Sequence, residues 1–570
     1  MSGQSTAPFP LQRHRRELGR QGPWIALTAL VAVLVLIPIV PLQGKAFADG
    51  GAGLKELGGM RGLGSVLVNT LYLGVGATVV GLVLGTGLAL SVHSLPPRLR
   101  SALSFAPVLP IIIPAVAHVV GFVFLFSPEN GYANTLLRAT PFFGDDSSGP
   151  INVYTPFWII VYTGIHLSAF VYLFVYSGLQ GLGEDYGLAA QANGAGGLRI
   201  LRTVTLPMLR PVFVYSGMVV FLLALGQFTG PLILGRREGL DVLTTRMFVL
   251  TTEYPIHFAL VASLGTPLLV LAFFLMFVQR RLLGDQKRYV GRGAMSMAKA
   301  PTRRWTTAAA TAFIAAFVAI SAILPLLALA FVALSPYWSG KLSGEHFTTA
   351  HFVRALSDAR VRESITTSLT VTLAGVILAM PLGLLVALAV TNKDRIWRPV
   401  TLVLDVAAAL PLAVPAALIG FGFLFAFSSA NTGLYGTKTA LLIAYVAIML
   451  PYAVRYQLTT LIALGPQTME SSRVSGAGPL RTFTRIIFPL SRGGMAASAA
   501  VMFVLLIHEF GVSLLLRSPE STVMSVVLYE EFSTGSYPRV AVVALIMTVI
   551  TAGGVVAALA FGGTKAMERL

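Results

Sequence analysis

The sequence predicts an all-α polytopic membrane protein with about twelve transmembrane helices in two parallel-related six-helix repeats. Hydrophobic residues make up 55% of the 570 positions, and charged residues only 11%. A soluble protein of this length cannot bury so much apolar surface, so lipid must solvate much of the chain. The sequence contains no cysteine, which excludes disulfides and thiolate metal sites.

Twelve apolar stretches of about 18–28 residues recur along the chain, and each is long enough to cross a bilayer. Six lie in the first half, at 24–41, 65–92, 103–126, 156–179, 212–234 and 258–278. Six lie in the second half, at 307–334, 366–390, 400–427, 439–461, 494–516 and 540–561. Ala46-Phe47-Ala48 resembles a signal-peptidase site, but the apolar run before it is too long for a typical signal peptide. We therefore expect an uncleaved first span.

The formal net charge of +18 could suggest nucleic acid binding, but the distribution of basic residues indicates membrane topology instead. If the N-terminus is cytoplasmic, 26 Lys and Arg residues fall on inside segments and 14 on outside loops. This bias follows the positive-inside rule. We therefore expect a multi-pass membrane protein with both termini in the cytoplasm, and no nucleic acid partner.

An internal repeat divides the chain into two halves, residues 1–278 and 307–570, joined by a basic linker at 279–306. Leu109–Pro114 matches Leu410–Pro415, and a run rich in Gly and Phe follows each. The proline pairs in these stretches are expected to break helices within spans, either as a gate or as a static bend. Six spans in each half place the repeats in parallel orientation, related by an axis along the membrane normal.

Two long cytoplasmic loops are alike, at about 184–210 and 466–492. Each has a helix-prone run, a glycine, an amphipathic run and a proline. Thirteen residues separate Gly194 from Pro207, and thirteen also separate Gly476 from Pro489. The glycine permits a tight turn, and the proline marks entry into the next span. Such an element would form a rigid projection on the cytoplasmic face, where a partner could bind it.

These loops resemble the EAA loop of the binding-protein-dependent ABC importer permeases. The resemblance covers nearly the whole chain, because both halves carry the loop before the penultimate span. The matching residues are Ala189, Ala190, Gly194, Pro207, Glu470, Gly476 and Pro489. Leu188 stands in place of the family Glu in the first loop, and Ser471 and Ser472 replace the alanines of the second.

The resemblance implies a permease subunit of the bacterial inner membrane that translocates a solute and is not an enzyme. In this family the loop forms a coupling helix in a groove of the ATPase, so the expected partners are a homodimeric ABC ATPase inside and a solute-binding protein outside. No cofactor is expected in this chain, because it has no P-loop, and ATP and Mg would bind the ATPase. The fused form resembles ferric-iron permeases. Ferric iron is the favoured solute, with thiamine, 2-aminoethylphosphonate or a polyamine as alternatives.

Polar residues inside the spans are candidates for the translocation pathway. Gln227 in the first half aligns with Glu509 in the second, which follows His508, and Asp405 lies in the ninth span. Ionisable residues in lipid are costly and are functional by default, and oxygen and imidazole ligands suit iron. The alternative is that they join helices by hydrogen bonds. Because only the second half keeps Glu470 and Glu509, we expect it to supply more of the polar contacts.

Two rival functions remain at this point. A secondary transporter of the twelve-span kind would need no ATPase, but it would leave the paired loops unexplained. An integral membrane enzyme would need a cluster of His, Asp, Glu or nucleophilic residues, and the sequence shows no such cluster. Co-purification with an ATPase subunit would separate these classes.

Overall fold

A computed structural model of the chain describes residues 10–141, 148–182, 185–283, 304–341, 347–392, 396–429 and 433–562. Most of the predicted linker, residues 284–303, lies outside the described residues.

The regular structure of the described residues is helical throughout. The first half contains α1 (Pro10–Gly59), α2 (Leu63–Ser94), α3 (Pro97–Leu103), α4 (Ala115–Phe126), α5 (Tyr132–Arg138), α6 (Pro156–Gly181), α7 (Asp185–Ala192), α8 (Gly197–Ile200), α9 (Leu206–Met208), α10 (Arg210–Leu225), α11 (Leu243–Thr252) and α12 (Phe258–Leu283). The second half contains α13 (Arg304–Val318), α14 (Leu324–Leu334), α15 (Ala350–Ser357), α16 (Ala359–Thr391), α17 (Arg398–Ala413), α18 (Ala416–Ser429), α19 (Lys438–Leu464), α20 (Pro466–Val474), α21 (Pro479–Thr482), α22 (Phe488–Ile507), α23 (Gly511–Leu515), α24 (Met524–Ser533) and α25 (Tyr537–Gly562). Short 3-10 or π-helical turns lie at 106–112, 201–205, 231–235, 236–238, 319–323 and 483–487.

The number of spans agrees with the prediction. Among the described residues, nine helices are long and apolar enough to cross a membrane, and three bent helix pairs raise the number to as many as twelve. The all-α polytopic fold is therefore confirmed. The first span is longer than the predicted 24–41, because its helix continues to a kink at Ala48–Gly51, where Asp49, Gly50 and Gly51 have positive φ.

The third span of each half is broken at a proline, as the proline pairs predict. The chain bends by 92° between the helical segments on either side of Pro114, and by 107° between α17 and α18 at Pro415. Proline cannot donate the helical hydrogen bond and restricts the residue before it to extended backbone. Ile113 and Val414 have ψ of 127°, which matches that restriction.

Spans five and eleven end earlier than predicted. The predicted 212–234 stops as a regular helix at Leu225, and 494–516 stops at Ile507. After each break the chain makes a second short helical segment, Pro231–Gly235 in the first half and α23 in the second. Apolar content alone does not reveal this change, because both segments are buried and hydrophobic.

The first span of each half packs against the other half, and these two spans are called the exchanged helices. α1 packs on α17 and α18, while α14, the second part of the span Arg304–Leu334, packs on α4. Both contacts place a glycine of the broken third span against a proline of the exchanged helix. A Cβ at Gly422 would lie 1.9 Å from Pro38 O, and a Cβ at Gly121 would lie 2.8 Å from Pro325 Cβ. At both contacts the absence of a glycine side chain lets the backbones of the two halves approach closely, as small residues do between membrane helices.

We predict that Gly422→Ala destabilises the folded permease, because its methyl group would overlap the Pro38 backbone. Overpacking costs about 1–3 kcal/mol, which exceeds the gain of about 1 kcal/mol from replacing glycine in a helix. The measurement is the thermal unfolding midpoint in detergent.

Gly217→Ala is the matched control for this change. Gly217 also lies in a spanning helix, but a Cβ there would make an ordinary contact at 3.5 Å to Leu82. Its variant should unfold at or above the wild-type midpoint. Equal midpoints for the two variants would contradict the close approach at Gly422.

Candidate translocation pathway and coupling loops

The two predicted coupling loops fold into the same helix–turn–helix. Gly194 follows α7 with a φ of +77°, and Gly476 follows α20 with a φ of +74°. Pro207 and Pro489 stand at the second position of the helices that follow, α9 and α22. The turn requires the left-handed region that glycine populates without steric cost, so the spacing seen in the sequence corresponds to one repeated backbone geometry.

A backbone hydrogen bond of the same kind closes each turn. The Ala195 N–H donates to Ala190 O at 3.0 Å, and the Ala477 N–H donates to Ser472 O at 3.1 Å. This six-to-one bond is the mark of a Schellman motif, in which a left-handed residue ends a helix and reverses the chain. The face that carries both turns is called the coupling face below.

The two loops differ in how their short helices are joined. In the second loop, the hydroxyls of Ser472 and Thr482 are 2.7 Å apart, and both side chains are buried. The first loop has Ala190 and Ile200 at these positions. Ser472, a departure from the family pattern, therefore has a partner that the first loop does not need.

The signature positions of both loops are open to a partner. Leu188 is 47% exposed, and Glu470, which occupies the same place in the second loop, is also exposed. Ala189 is exposed as well. An apolar group therefore stands in the first loop where the second presents a carboxylate.

The broken ends of spans five and eleven meet between the halves. The rings of Phe228 and Phe510 stack with their centroids 5.8 Å apart and their planes at 24°, and both are buried. Gly226 packs against Pro415, where a Cβ would lie 2.8 Å from the proline Cβ. The two phenylalanines occupy equivalent positions of the repeat, so their contact lies where the halves meet. This contact is called the constriction of the candidate pathway below.

Sequence reasoning selected the neighbours of these rings, Gln227 and Glu509, but missed the rings themselves. The chain contains 34 phenylalanines, and nothing local distinguishes Phe228 or Phe510 from the others. The available signal was the repeat alignment, which places both in the same column.

Glu509 caps the short helix α23. Its carboxylate accepts hydrogen bonds from the Val512 N–H at 2.9 Å, the Ser513 N–H at 2.9 Å and the Ser513 hydroxyl at 2.7 Å. The Ser513 hydroxyl also lies 2.9 Å from the Tyr445 hydroxyl. The carboxylate therefore satisfies the free N–H groups of a helix start, as an N-cap residue does.

The first half dispenses with this cap. Pro231 occupies the position of Ser513 and has neither an N–H nor a hydroxyl to offer. Gln227 correspondingly replaces Glu509. An acid at position 227 would therefore lack two of the three hydrogen-bond donors that Glu509 has, because Gly230 is the counterpart of Val512 and only its N–H remains.

Hydroxyl groups tie both broken segments in the same way. One hydroxyl donates to the carbonyl oxygen at the break, at 2.7 Å in each half, from Thr244 to Gln227 and from Ser525 to Glu509. A second hydroxyl accepts the first free N–H of the following helix, from Leu243 to Thr70 at 2.9 Å and from Met524 to Ser368 at 2.8 Å. The two breaks are thus held by equivalent hydrogen bonds.

Two histidines join helices. His508 Nε2 lies 2.9 Å from the Thr551 hydroxyl of α25. His118 Nε2 lies 2.7 Å from Ser321 O of the exchanged first helix. Pro325, four residues after Ser321, has no N–H to bond that carbonyl, so the imidazole takes its place as donor.

Asp405 makes an ion pair with Arg455, with 3.6 Å between Oδ1 and the guanidinium nitrogen. Both side chains are partly exposed, and α17, which carries Asp405, packs on α1 of the first half. The pair therefore lies near the seam between the halves, on the coupling side of the phenylalanine contact.

We predict that Glu509→Ala destabilises the protein and lowers transport, while Gln227→Ala leaves stability nearly unchanged. Removing the carboxylate leaves two buried N–H groups without partners, at a cost of about 1–3 kcal/mol for each unsatisfied group. The thermal midpoint in detergent checks the first effect and solute uptake the second. Equal stability of the two variants would contradict the capping role.

Residues 77–288 and 379–561 match the family described as the binding-protein-dependent transport system inner membrane component, one domain in each half. A probable ABC transporter permease of Sinorhizobium fredii, y4fN, is 23% identical over 93% of this chain and 94% of its own. The ferric transport permease FbpB of Actinobacillus pleuropneumoniae is 22% identical over 91% of this chain and 75% of its own.

Other matches cover less than half of this chain. A putative 2-aminoethylphosphonate permease of Salmonella typhimurium, PhnV, is 26% identical over 40% of this chain and 84% of its own. A chain of a bacterial alginate ABC transporter, solved with its alginate-bound periplasmic protein, superposes on 47% of this chain with a TM-score of 0.41 and 20% identity. With one family domain in each half, the chain belongs to the binding-protein-dependent transport system inner membrane components, as a fused permease of an ABC importer.

Proposed function

We propose that this single chain forms the whole translocation pathway of an ATP-driven importer. The coupling face would engage two ATPase subunits, one at each coupling loop, and these subunits would bind ATP and Mg. The opposite face would receive a solute-binding protein. The observation that carries the proposal is the pair of coupling loops, which repeat one glycine-dependent turn in both halves of one chain.

The coupling face would be cytoplasmic, with both termini on the same side. Basic residues support this orientation, because Arg199, Arg202, Arg481 and Arg485 all lie in the coupling loops and the positive-inside rule places such loops in the cytoplasm.

The contact between Phe228 and Phe510 would close the pathway between transport cycles. Two stacked aromatic rings fill the seam with apolar surface, so a charged or strongly hydrated solute would not pass until they separate. Separation requires relative motion of the halves, because each ring belongs to a different half.

Ferric iron remains the favoured solute, because a ferric transport permease aligns over most of the chain. The half-length 2-aminoethylphosphonate relative supports the phosphonate alternative, and thiamine and polyamines stay open. Among the described residues, no three His, Asp or Glu side chains are grouped as a metal site. Selection would therefore rest with the binding protein, and a measurement of which ligand that protein captures tests the assignment most directly.

We predict that Gly476→Val abolishes ATP-driven uptake while the chain still inserts in the membrane. A β-branched residue at a φ of +74° is strained, so the turn that presents the second coupling helix would be lost. Uptake into membrane vesicles and ATPase co-purification are the measurements.

Gly478→Val is the control for this prediction. Gly478 lies two residues later, a Cβ there would meet open space, and its φ is not positive. Its variant should transport nearly normally. Normal uptake by the Gly476→Val variant would remove the coupling role from that loop.

We also predict that linking Phe228→Cys to Phe510→Cys with a short bifunctional thiol reagent blocks transport and that reduction restores it. The chain has no native cysteine, so only the introduced pair reacts. Phe174→Cys with Tyr215→Cys is the control, because these rings are 5.1 Å apart within the first half. Linking this control pair should leave uptake unchanged, and unchanged uptake in the linked test pair would exclude the proposed gate.

A further inference from the structure

A polar cleft of about 700 Å³ opens on the face opposite the coupling loops. Its lining residues are Ala359, Arg362, Glu363, Thr366, Thr367, Thr437, Lys438 and Glu520. α19 begins in the cleft at Lys438 and ends at Leu464, directly before the second coupling loop. At about 1.5 Å per residue this helix is about 40 Å long, so the cleft and the coupling loop lie at opposite ends of the molecule.

All the lining residues belong to the second half, so the cleft is not on the seam where the pathway runs. Thr70 and Ser368 make equivalent hydrogen bonds in the two halves, so they align α2 with α16 in the repeat. In that alignment Arg362 and Glu363 correspond to Gly64 and Ser65 of the first half. The charges of the cleft are therefore a property of the second half and not of the repeat.

The four charged side chains of the cleft, Arg362, Glu363, Lys438 and Glu520, are exposed. None of them makes an ion pair with a residue that the structure describes.

Neighbouring charges on the same face are paired. Arg360 bonds Glu530, Arg517 lies 3.3 Å from Glu530, and Arg539 bonds Asp358. Partial burial acts to raise the pKa of Asp358, but hydrogen bonds from Arg539 and the Arg360 N–H outweigh it and lower that pKa below its ordinary value.

We propose that this cleft, here called the outer cleft, is the docking site on the second half for the solute-binding protein, through a projection that carries both acidic and basic side chains. The inference rests on the proposed importer function. Unpaired charges of both signs suit a partner with complementary charges, which steers association and fixes its register. A free solute held here would lie off the pathway, because the first half contributes no lining residue.

The outer cleft is also connected to the constriction through hydrogen bonds. Thr367 lines the cleft, and the next residue, Ser368, accepts the Met524 N–H. Ser525 then donates to Glu509 O, next to Phe510. A partner that pushes on the start of α16 therefore acts on the element that holds one ring of the constriction.

The test uses the full permease with its ATPase in proteoliposomes and the host binding protein that stimulates ATP hydrolysis. The double variant Arg362→Glu with Lys438→Glu should raise the concentration of binding protein needed for half-maximal stimulation by about tenfold or more, since reversed charges repel the same partner. ATP hydrolysis without binding protein should stay at the wild-type rate.

Lys55→Glu is the matched control. Lys55 is exposed near the outer end of α1 in the first half, away from the cleft. Its variant should respond like wild type. An unchanged half-maximal concentration in the double variant, or an equal increase in the control, would overturn the docking site. No stimulation of ATP hydrolysis by the binding protein in the wild-type complex would instead count against the proposed importer function.

A second measurement does not depend on charge reversal. Thr366→Cys, labelled with a thiol-reactive photo-crosslinker, should form a covalent adduct with the purified binding protein. Ser65→Cys in the corresponding region of the first half should form much less. Equal adduct yields, or no adduct at Thr366→Cys, would exclude the outer cleft as the docking site.

Discussion

The architecture depends on one constraint, which is that backbone N–H and C=O groups inside a bilayer must find partners within the protein. This chain breaks its spans repeatedly, and side chains supply the missing partners at the breaks. Glu509 caps α23, Thr244 and Ser525 bond the carbonyl oxygens at the two constriction segments, and His118 bonds the carbonyl that Pro325 leaves free. Irregular backbone therefore occurs where the halves meet, which is where a pathway can form.

The internal repeat preserves backbone geometry while its side chains change in compensating pairs. Glu509 and Ser513 in the second half become Gln227 and Pro231 in the first, so the carboxylate is lost together with two of the three donors that it would bond. Ser472 in the second loop likewise has a hydroxyl partner that the first loop lacks. The halves therefore differ in their side chains and share one fold, because the hydrogen-bonding change made by each substitution is balanced by a neighbouring residue.

The sequence predicted features that depend on local rules. Proline pairs gave the breaks of the third spans, and the glycine spacing gave the coupling turns, because φ restrictions act on single residues. Three features depended on contacts between distant segments and were not predictable in this way. These are the early ends of spans five and eleven, the stacking of Phe228 on Phe510, and the exchange of the first helices.

Helix exchange restricts how such a pathway can open. α1 and α14 each lie against the broken third span of the opposite half, and Gly422 approaches Pro38 so closely that no side chain fits between them. Separating the halves along their full length would open a void at both contacts and lose that packing. The phenylalanine contact, by comparison, involves two rings held on short segments that hydrogen bonds connect to the helices on the outer side. Motion that parts the rings while the exchanged helices stay packed costs less, so the geometry favours rotation about the exchanged helices over separation of the halves.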